Sequence, residues 1–175
     1  MIVTIDGPAG SGKSTAARGL AKRLGFDFLD TGAMYRVVAL CCLERGIAAT
    51  DEQAASEATR SIDMQVRDGC TFMNDHDVTA VIRSPEVTES ASVVAGIAGV
   101  RDELVNWQRR AVGAKNIVTE GRDQGTVVFP EAKCKFFLTA APEERARRRQ
   151  QDLERTGVIV DFDEMLRLIH ERDER

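Results

Sequence analysis

At 175 residues, with 43% apolar and 30% charged side chains, the chain is sized for one globular domain with a real core. A formal net charge of −4 and a pI near 5.3 argue against a nucleic-acid binder of the electrostatic kind. No stretch is long and apolar enough to span a bilayer. Four cysteines without a C-x-x-C pair, beside two distant histidines, argue against a zinc site. Cys41, Cys42, Cys70 and Cys134 read as buried thiols of a reducing cytoplasm. The first residues already read as a strand, so a cytoplasmic location without a leader peptide is expected.

Residues 2–6 are a short run rich in β-branched side chains and predict a strand. It runs into Gly7-Pro-Ala-Gly-Ser-Gly12-Lys13-Ser14, which fits G-x-x-x-x-G-K-S/T, the phosphate-binding P-loop. Ala16, Ala17, Leu20, Ala21 and Leu24 then recur at helical spacing, and Gly25 is a stop signal. Strand, glycine loop and helix let backbone N–H groups wrap a triphosphate at a helix N-terminus. Gly7, Pro8, Ala9, Gly10, Ser11, Gly12, Lys13, Ser14 and Thr15 are therefore the expected ATP site. Lys13 would bridge the β- and γ-phosphates, and Ser14 would hold Mg²⁺.

Residues 26–29 read as a second short strand. Thr31 is placed to cap a helix over 33–45 whose inner face carries Met34, Val37, Val38 and Cys41. An Ala-rich helix is predicted over 51–61. The pattern then changes to alternation and turns, including Asp68-Gly69, and predicts a three-stranded antiparallel flap over about 63–82, with strands at 64–66, 70–73 and 78–82. Helices follow over about 85–95 and 100–114. Residues 117–120 and 134–138 read as further core strands. Pro142, with Glu143 and Glu144, opens an arginine-dense helix; Gly157 breaks it, and a last helix starts near Phe162. Strands alternating with helices predict α/β architecture. The expected form is a P-loop-type parallel sheet flanked by helices, with a small antiparallel insert and a helical lid near 142–160.

Two runs sit at the C-terminal ends of predicted strands, where open α/β sheets place their ligands. One holds Thr31 and Arg36; the other holds Arg122 and Asp123. A hydroxyl and two guanidiniums there would make a second anion site, suited to the phosphate of an acceptor. Glu120, at the end of its strand, is a candidate for the water shell of the metal. Arg145, Arg148 and Arg149 lie on neighbouring faces of one helix. They read either as a solvated charged face with local acidic partners or as a lid closing cations over the γ-phosphate. Lys13, Arg122, Arg145 and Arg149 are the candidate catalytic residues.

Asp30-Thr-Gly-Ala-Met-Tyr-Arg36, Gly121-Arg-Asp-Gln-Gly-Thr-Val-Val-Phe-Pro130, Lys135-Phe-Phe-Leu-Thr-Ala140 and Glu143-Glu-Arg-Ala-Arg-Arg-Arg149 together resemble bacterial cytidylate kinases. So do Ile82-Arg-Ser-Pro-Glu-Val87 and the ending Glu171-Arg-Asp-Glu-Arg175. The resemblance implies transfer of the γ-phosphoryl group of ATP to CMP or dCMP, with Mg²⁺. It implies Thr31, Arg36 and Arg122 on the acceptor phosphate, Ser92, Arg101 and Asp123 on the cytosine, and Arg172 near the sugar. It also implies that a single kinase domain continues past Arg175, with a further Asp and Arg, another core strand, an adenine-touching loop and a final helix. A monomer that binds nucleotides, and neither nucleic acid nor membrane, is expected. Two alternatives stand beside this reading: a P-loop kinase for another small acceptor, such as a different nucleotide or shikimate, and a non-catalytic nucleotide-binding protein. Intact Lys13, Ser14 and arginines argue for a catalyst.

Overall fold

The computed structural model describes residues 1–67, 69–155 and 157–174. The Asp68 half of the expected Asp68-Gly69 turn and the terminal Arg175 fall outside the described residues. In chain order the elements are β1 (Ile2–Asp6), α1 (Lys13–Leu24), β2 (Asp27–Asp30), α2 (Thr31–Glu44) and α3 (Glu52–Ser61). Then come β3 (Met64–Arg67), β4 (Cys70–Met73), β5 (His76–Asp77), α4 (Pro85–Val94) and α5 (Ala98–Val112). β6 (Ile117–Gly121), β7 (Cys134–Phe137), α6 (Pro142–Glu154) and α7 (Phe162–Glu174) complete the chain. They form two compact units, Met1–Leu29 with Ala114–Arg175, and Asp30–Gly113.

The first unit is built on a four-stranded sheet of order β2-β6-β1-β7. β1 pairs in parallel with β6, Ile2 opposite Ile117 through Asp6 opposite Gly121, and with β7, Val3 opposite Cys134 through Asp6 opposite Phe137. Parallel neighbours need crossover connections, and α1 covers the sheet through Ala17 and Ala21 against Val3, Ile5 and Val118. Gly25 ends α1 in the left-handed region at φ 66°, its N–H returning to the Ala21 carbonyl. At the other end of the chain, Ala146 of α6 packs on Met165 and Ile169 of α7, with Leu153, Val160, Phe162 and Leu166 around them. That cluster makes α6 and α7 one hairpin.

The second unit is helical with a small sheet. α2 is buried along Met34, Val37, Val38, Cys41 and Cys42, and packs on α4. The cap of α2 corrects the sequence reading. Asp30, not Thr31, is the N-cap, its carboxylate accepting the Ala33 N–H at 3.0 Å, and Thr31 lies in the first turn, buried. Asp51 caps α3 in the same way, accepting the Ala54 N–H at 3.0 Å. Asp51→Ala is expected to lower stability by about 1 kcal/mol, the usual scale of an exposed N-cap, read as a shift of the urea midpoint at constant slope.

The flap over 63–82 is present as an antiparallel sheet of order β3-β4-β5. Its third strand differs from the expectation of 78–82. Regular pairing ends at Asp77, beyond which the Val78 N–H still donates to the Thr71 carbonyl at 2.9 Å; the Asp77 carboxylate accepts the Thr79 N–H at 2.9 Å, and the Thr79 hydroxyl accepts the Thr71 N–H at 2.8 Å. Those two side-chain bonds replace ladder bonds and turn the chain into a 3₁₀ turn at Val81–Arg83. Ser84 then caps α4, with Pro85 in its first turn. All four cysteines are free thiols, but only Cys41 and Cys42 are buried; Cys70 and Cys134 are half-buried, which corrects the expectation for those two.

Candidate active site

The loop after β1 is shaped by glycines that could not be replaced. Gly7 has φ 148°, and a Cβ there would lie 2.0 Å from the Leu138 carbonyl oxygen. Gly12, at φ 95°, is the N-cap residue of α1, so the loop delivers the unpaired N–H groups of a helix N-terminus. Lys13 is buried within this frame, and its ammonium donates to the Pro8 carbonyl at 2.7 Å. An ammonium has three donors, so this bond does not exhaust it. Burial pushes the Lys13 pKa down; Glu120 opposes that, while Arg122 and Arg172 reinforce it.

Glu120 is buried at the end of β6 and accepts the Ser14 hydroxyl at 2.9 Å. This hydroxyl and carboxylate, meeting beside the loop, are an oxygen-donor pair of the kind Mg²⁺ takes when it keeps most of its waters and a phosphate. Among the described residues no group of three His, Cys, Asp or Glu could hold a metal by itself. The donor set fits Mg²⁺ that keeps most of its waters.

The segment after β6 is a turn of π-helix, Gln124–Val128, which no local signal predicted. Its anchor is Asp6 at the end of β1. Both Asp6 carboxylate oxygens accept backbone N–H groups, from Gln124 and Gly125, each at 2.8 Å. The Thr119 hydroxyl donates to Gln124 Oε1 at 2.8 Å, and a Cβ on Gly125 would come 2.8 Å from Thr4 Oγ1. Asp6 was missed as a positioning residue. The available signal was a carboxylate closing an otherwise apolar strand directly before the glycine loop. The anchored turn starts at Asp123, whose side chain does not cap it; its carbonyl accepts the Val127 N–H at 2.8 Å. Arg122 reaches solvent, yet the surrounding protein lowers its pKa by desolvation, with Asp173 opposing and Arg145 reinforcing the shift. A guanidinium remains charged through such a shift.

α6 brings two of its arginines to the loop. Arg145 is only 3% exposed. Its Nε donates to the Ala140 carbonyl at 3.1 Å, and Nη1 reaches the Ala9 carbonyl at 3.4 Å. Nη1 and Nη2 also fork onto Asp173 at 2.9 and 2.5 Å. Arg148 pairs with Glu144 at 2.8 Å and reaches the Ser11 carbonyl at 3.4 Å. Arg149 is half-buried one position further along the helix. In the second unit, Arg36 donates through Nη1 to the Ile82 carbonyl at 3.1 Å and the Thr88 hydroxyl at 2.5 Å. Ser92 donates to the Glu89 carbonyl at 2.7 Å, and Arg101 to the Ala95 carbonyl at 3.5 Å. The first unit thus gathers Lys13, Ser14, Glu120, Arg122, Arg145, Arg148 and Arg172; Thr31, Arg36, Ser92 and Arg101 belong to the second.

A parallel sheet whose first strand runs through a glycine loop into a helix, with an acidic residue on the neighbouring strand meeting the loop serine, defines a P-loop kinase fold. A crystal structure of an uncharacterised protein from Eubacterium ventriosum has a similar fold, at a TM-score of 0.50 and 13% identity, over 99% of this chain and 71% of that one. The cytidylate kinase family model matches residues 3–175. A cytidylate kinase of Rhodopirellula baltica is 46% identical over 173 residues, covering 99% of this chain and 76% of the relative. One from Fusobacterium nucleatum is 47% identical over 173 residues, covering 99% and 79%. The chain belongs to the cytidylate kinase family. Among the described residues, no helix is long and apolar enough to cross a membrane.

Proposed function

We infer that this protein transfers the γ-phosphoryl group of ATP to CMP or dCMP, giving ADP and CDP or dCDP. The observation that carries the reading is family membership over residues 3–175 together with a phosphate loop whose lysine, serine and neighbouring glutamate are in register. In the reaction an oxygen of the acceptor phosphate forms a bond to Pγ, and the bond from Pγ to the bridging oxygen of ADP breaks. That acceptor oxygen is already anionic near neutral pH, so no general base is needed. Catalysis is then positioning and charge neutralisation.

Lys13 would follow charge on the β- and γ-oxygens, and the loop N–H groups would hold the β-phosphate. Ser14 would hold Mg²⁺ directly and Glu120 through its water shell; when bound, the ion neutralises phosphate oxygens. Arg122 and Arg149 would meet the transferring group. Thr31 and Arg36 would take the acceptor phosphate, with Ser92, Arg101 and Asp123 on the base and Arg172 near the sugar. Arg145 has four of its five N–H donors on protein acceptors, and the role read for it is support of the loop in place of contact with the transferring group. The expected assembly is a monomer working on nucleotides in the cytoplasm.

Purified protein with Mg²⁺ and ATP should form CDP from CMP and dCDP from dCMP, seen by chromatography of the nucleotides. Failure with both, alongside phosphorylation of AMP or shikimate, would sink the assignment of the acceptor.

A further inference from the structure

We propose that Asp173 is a positioning residue, which through its paired hydrogen bonds to Arg145 holds the phosphate loop in the shape that receives ATP. The inference rests on the reading that this loop is the ATP site. Arg145 belongs to an arginine run, yet it does not behave as a solvated cation. At 3% exposure its guanidinium would be an uncompensated buried charge without a carboxylate beside it. Asp173 supplies that carboxylate from 28 residues away, with both oxygens engaged. The fork fixes the plane of the guanidinium as well as its charge.

The pair is built into the fold. α7, which carries Asp173, is seated on α6 by the Ala146, Met165 and Ile169 cluster. Arg145 in turn lies directly against the loop: a Cβ added to Gly10 would come 3.3 Å from the Arg145 Cβ. Its guanidinium reaches the Ala9 carbonyl and that of Arg148 reaches the Ser11 carbonyl. Both contacts take loop carbonyls, leaving the loop N–H groups for phosphate. Asp173 also opposes the lowering of the Arg122 pKa, so one carboxylate bears on two cations of the site. Arg148, by contrast, has a partner on its own helix, Glu144, and needs nothing from α7. A carboxylate that fixes the support of a loop, without touching nucleotide, acts more on ATP affinity than on the acceptor.

The test uses the full chain and the variants Asp173→Asn, Asp173→Glu, Arg145→Lys and the Asp173→Asn/Arg145→Lys double variant. Binding of Mg·ATP without acceptor is measured by calorimetry, and the KM for CMP by steady-state kinetics. Asp173→Asn should weaken ATP binding about tenfold, on the order of 1.4 kcal/mol, with a smaller change in the KM for CMP. Asp173→Glu should restore most of the affinity. Arg145→Lys keeps charge without the fork and should match Asp173→Asn; the double variant should lose no more than either alone. Full ATP affinity in a folded Asp173→Asn protein overturns the proposal, as does an effect confined to the KM for CMP. Should Asp173→Asn not fold, Arg145→Lys decides by the same criterion. Wild-type protein that binds Mg·ATP without phosphorylating CMP would defeat the functional reading, yet the ATP comparison would still decide this one.

Discussion

Lys13→Ala is expected to lower turnover about a hundredfold or more, the scale of losing one preorganised charge contact in a water-poor site. The environment of Lys13 explains the size. It is 8% exposed and donates to the Pro8 carbonyl, so its ammonium is held inside the loop. Burial lowers its pKa, and Glu120 counters that. A cation kept in that balance is poorly solvated and interacts strongly with developing negative charge. Alanine removes both the charge and the group that closes the loop on Pro8. Single-turnover rates at saturating Mg·ATP separate loss of chemistry from loss of binding. Near-normal rates in the variant would remove Lys13 from the mechanism.

Elements bounded by one unopposed local signal were legible; those where two side chains compete for the same backbone were not. Gly25 and Pro142 each act within one turn of their own position, and α1 and α6 begin and end where those residues dictate. At the start of α2, both Asp30 and Thr31 are good capping residues. The strand carries on through Asp30, and the Ala33 N–H falls three residues beyond its carboxylate, which decides for Asp30. The apolar residues of 78–82 alternate well enough to suggest a strand. The Asp77 and Thr79 side chains compete for the backbone and win, a preference that periodicity does not register.

The phosphate loop was readable because its glycines, lysine and serine are contiguous and each has a geometric reason to be there. The Ser14–Glu120 contact spans 106 residues, and Glu120 was picked from its place at a strand end. Asp6 was not picked, since the backbone it anchors lies 118 residues away at Gln124. The arginine helix left two readings open, a solvated charged face and a lid over the γ-phosphate. Arg148 has the local acidic partner of a solvated face, whereas Arg145 is buried against the loop and paired with α7. No pattern within 142–154 separates these two arginines; the approach of α7 does.

Asp123→Asn should change the choice of base. Asp123 stands at the head of a turn that Asp6 and Gln124 pin in place, and its side chain is not used to cap that turn. A carboxylate can only accept, which suits the exocyclic amino group of cytosine and opposes the carbonyl that uracil carries in its place. Asparagine keeps the volume and adds an amide donor that can face that carbonyl. The variant is expected to lose roughly one to three kcal/mol in kcat/KM for CMP, the usual scale of a base-reading contact, while its relative use of UMP rises. Sites of this kind discriminate by leaving a buried polar group unpaired against the wrong ligand, so the ratio is more diagnostic than either rate. Comparing kcat/KM for CMP and UMP in both proteins checks it. A fall in CMP activity with an unchanged CMP-to-UMP ratio would mean that Asp123 organises the strand end without reading the base.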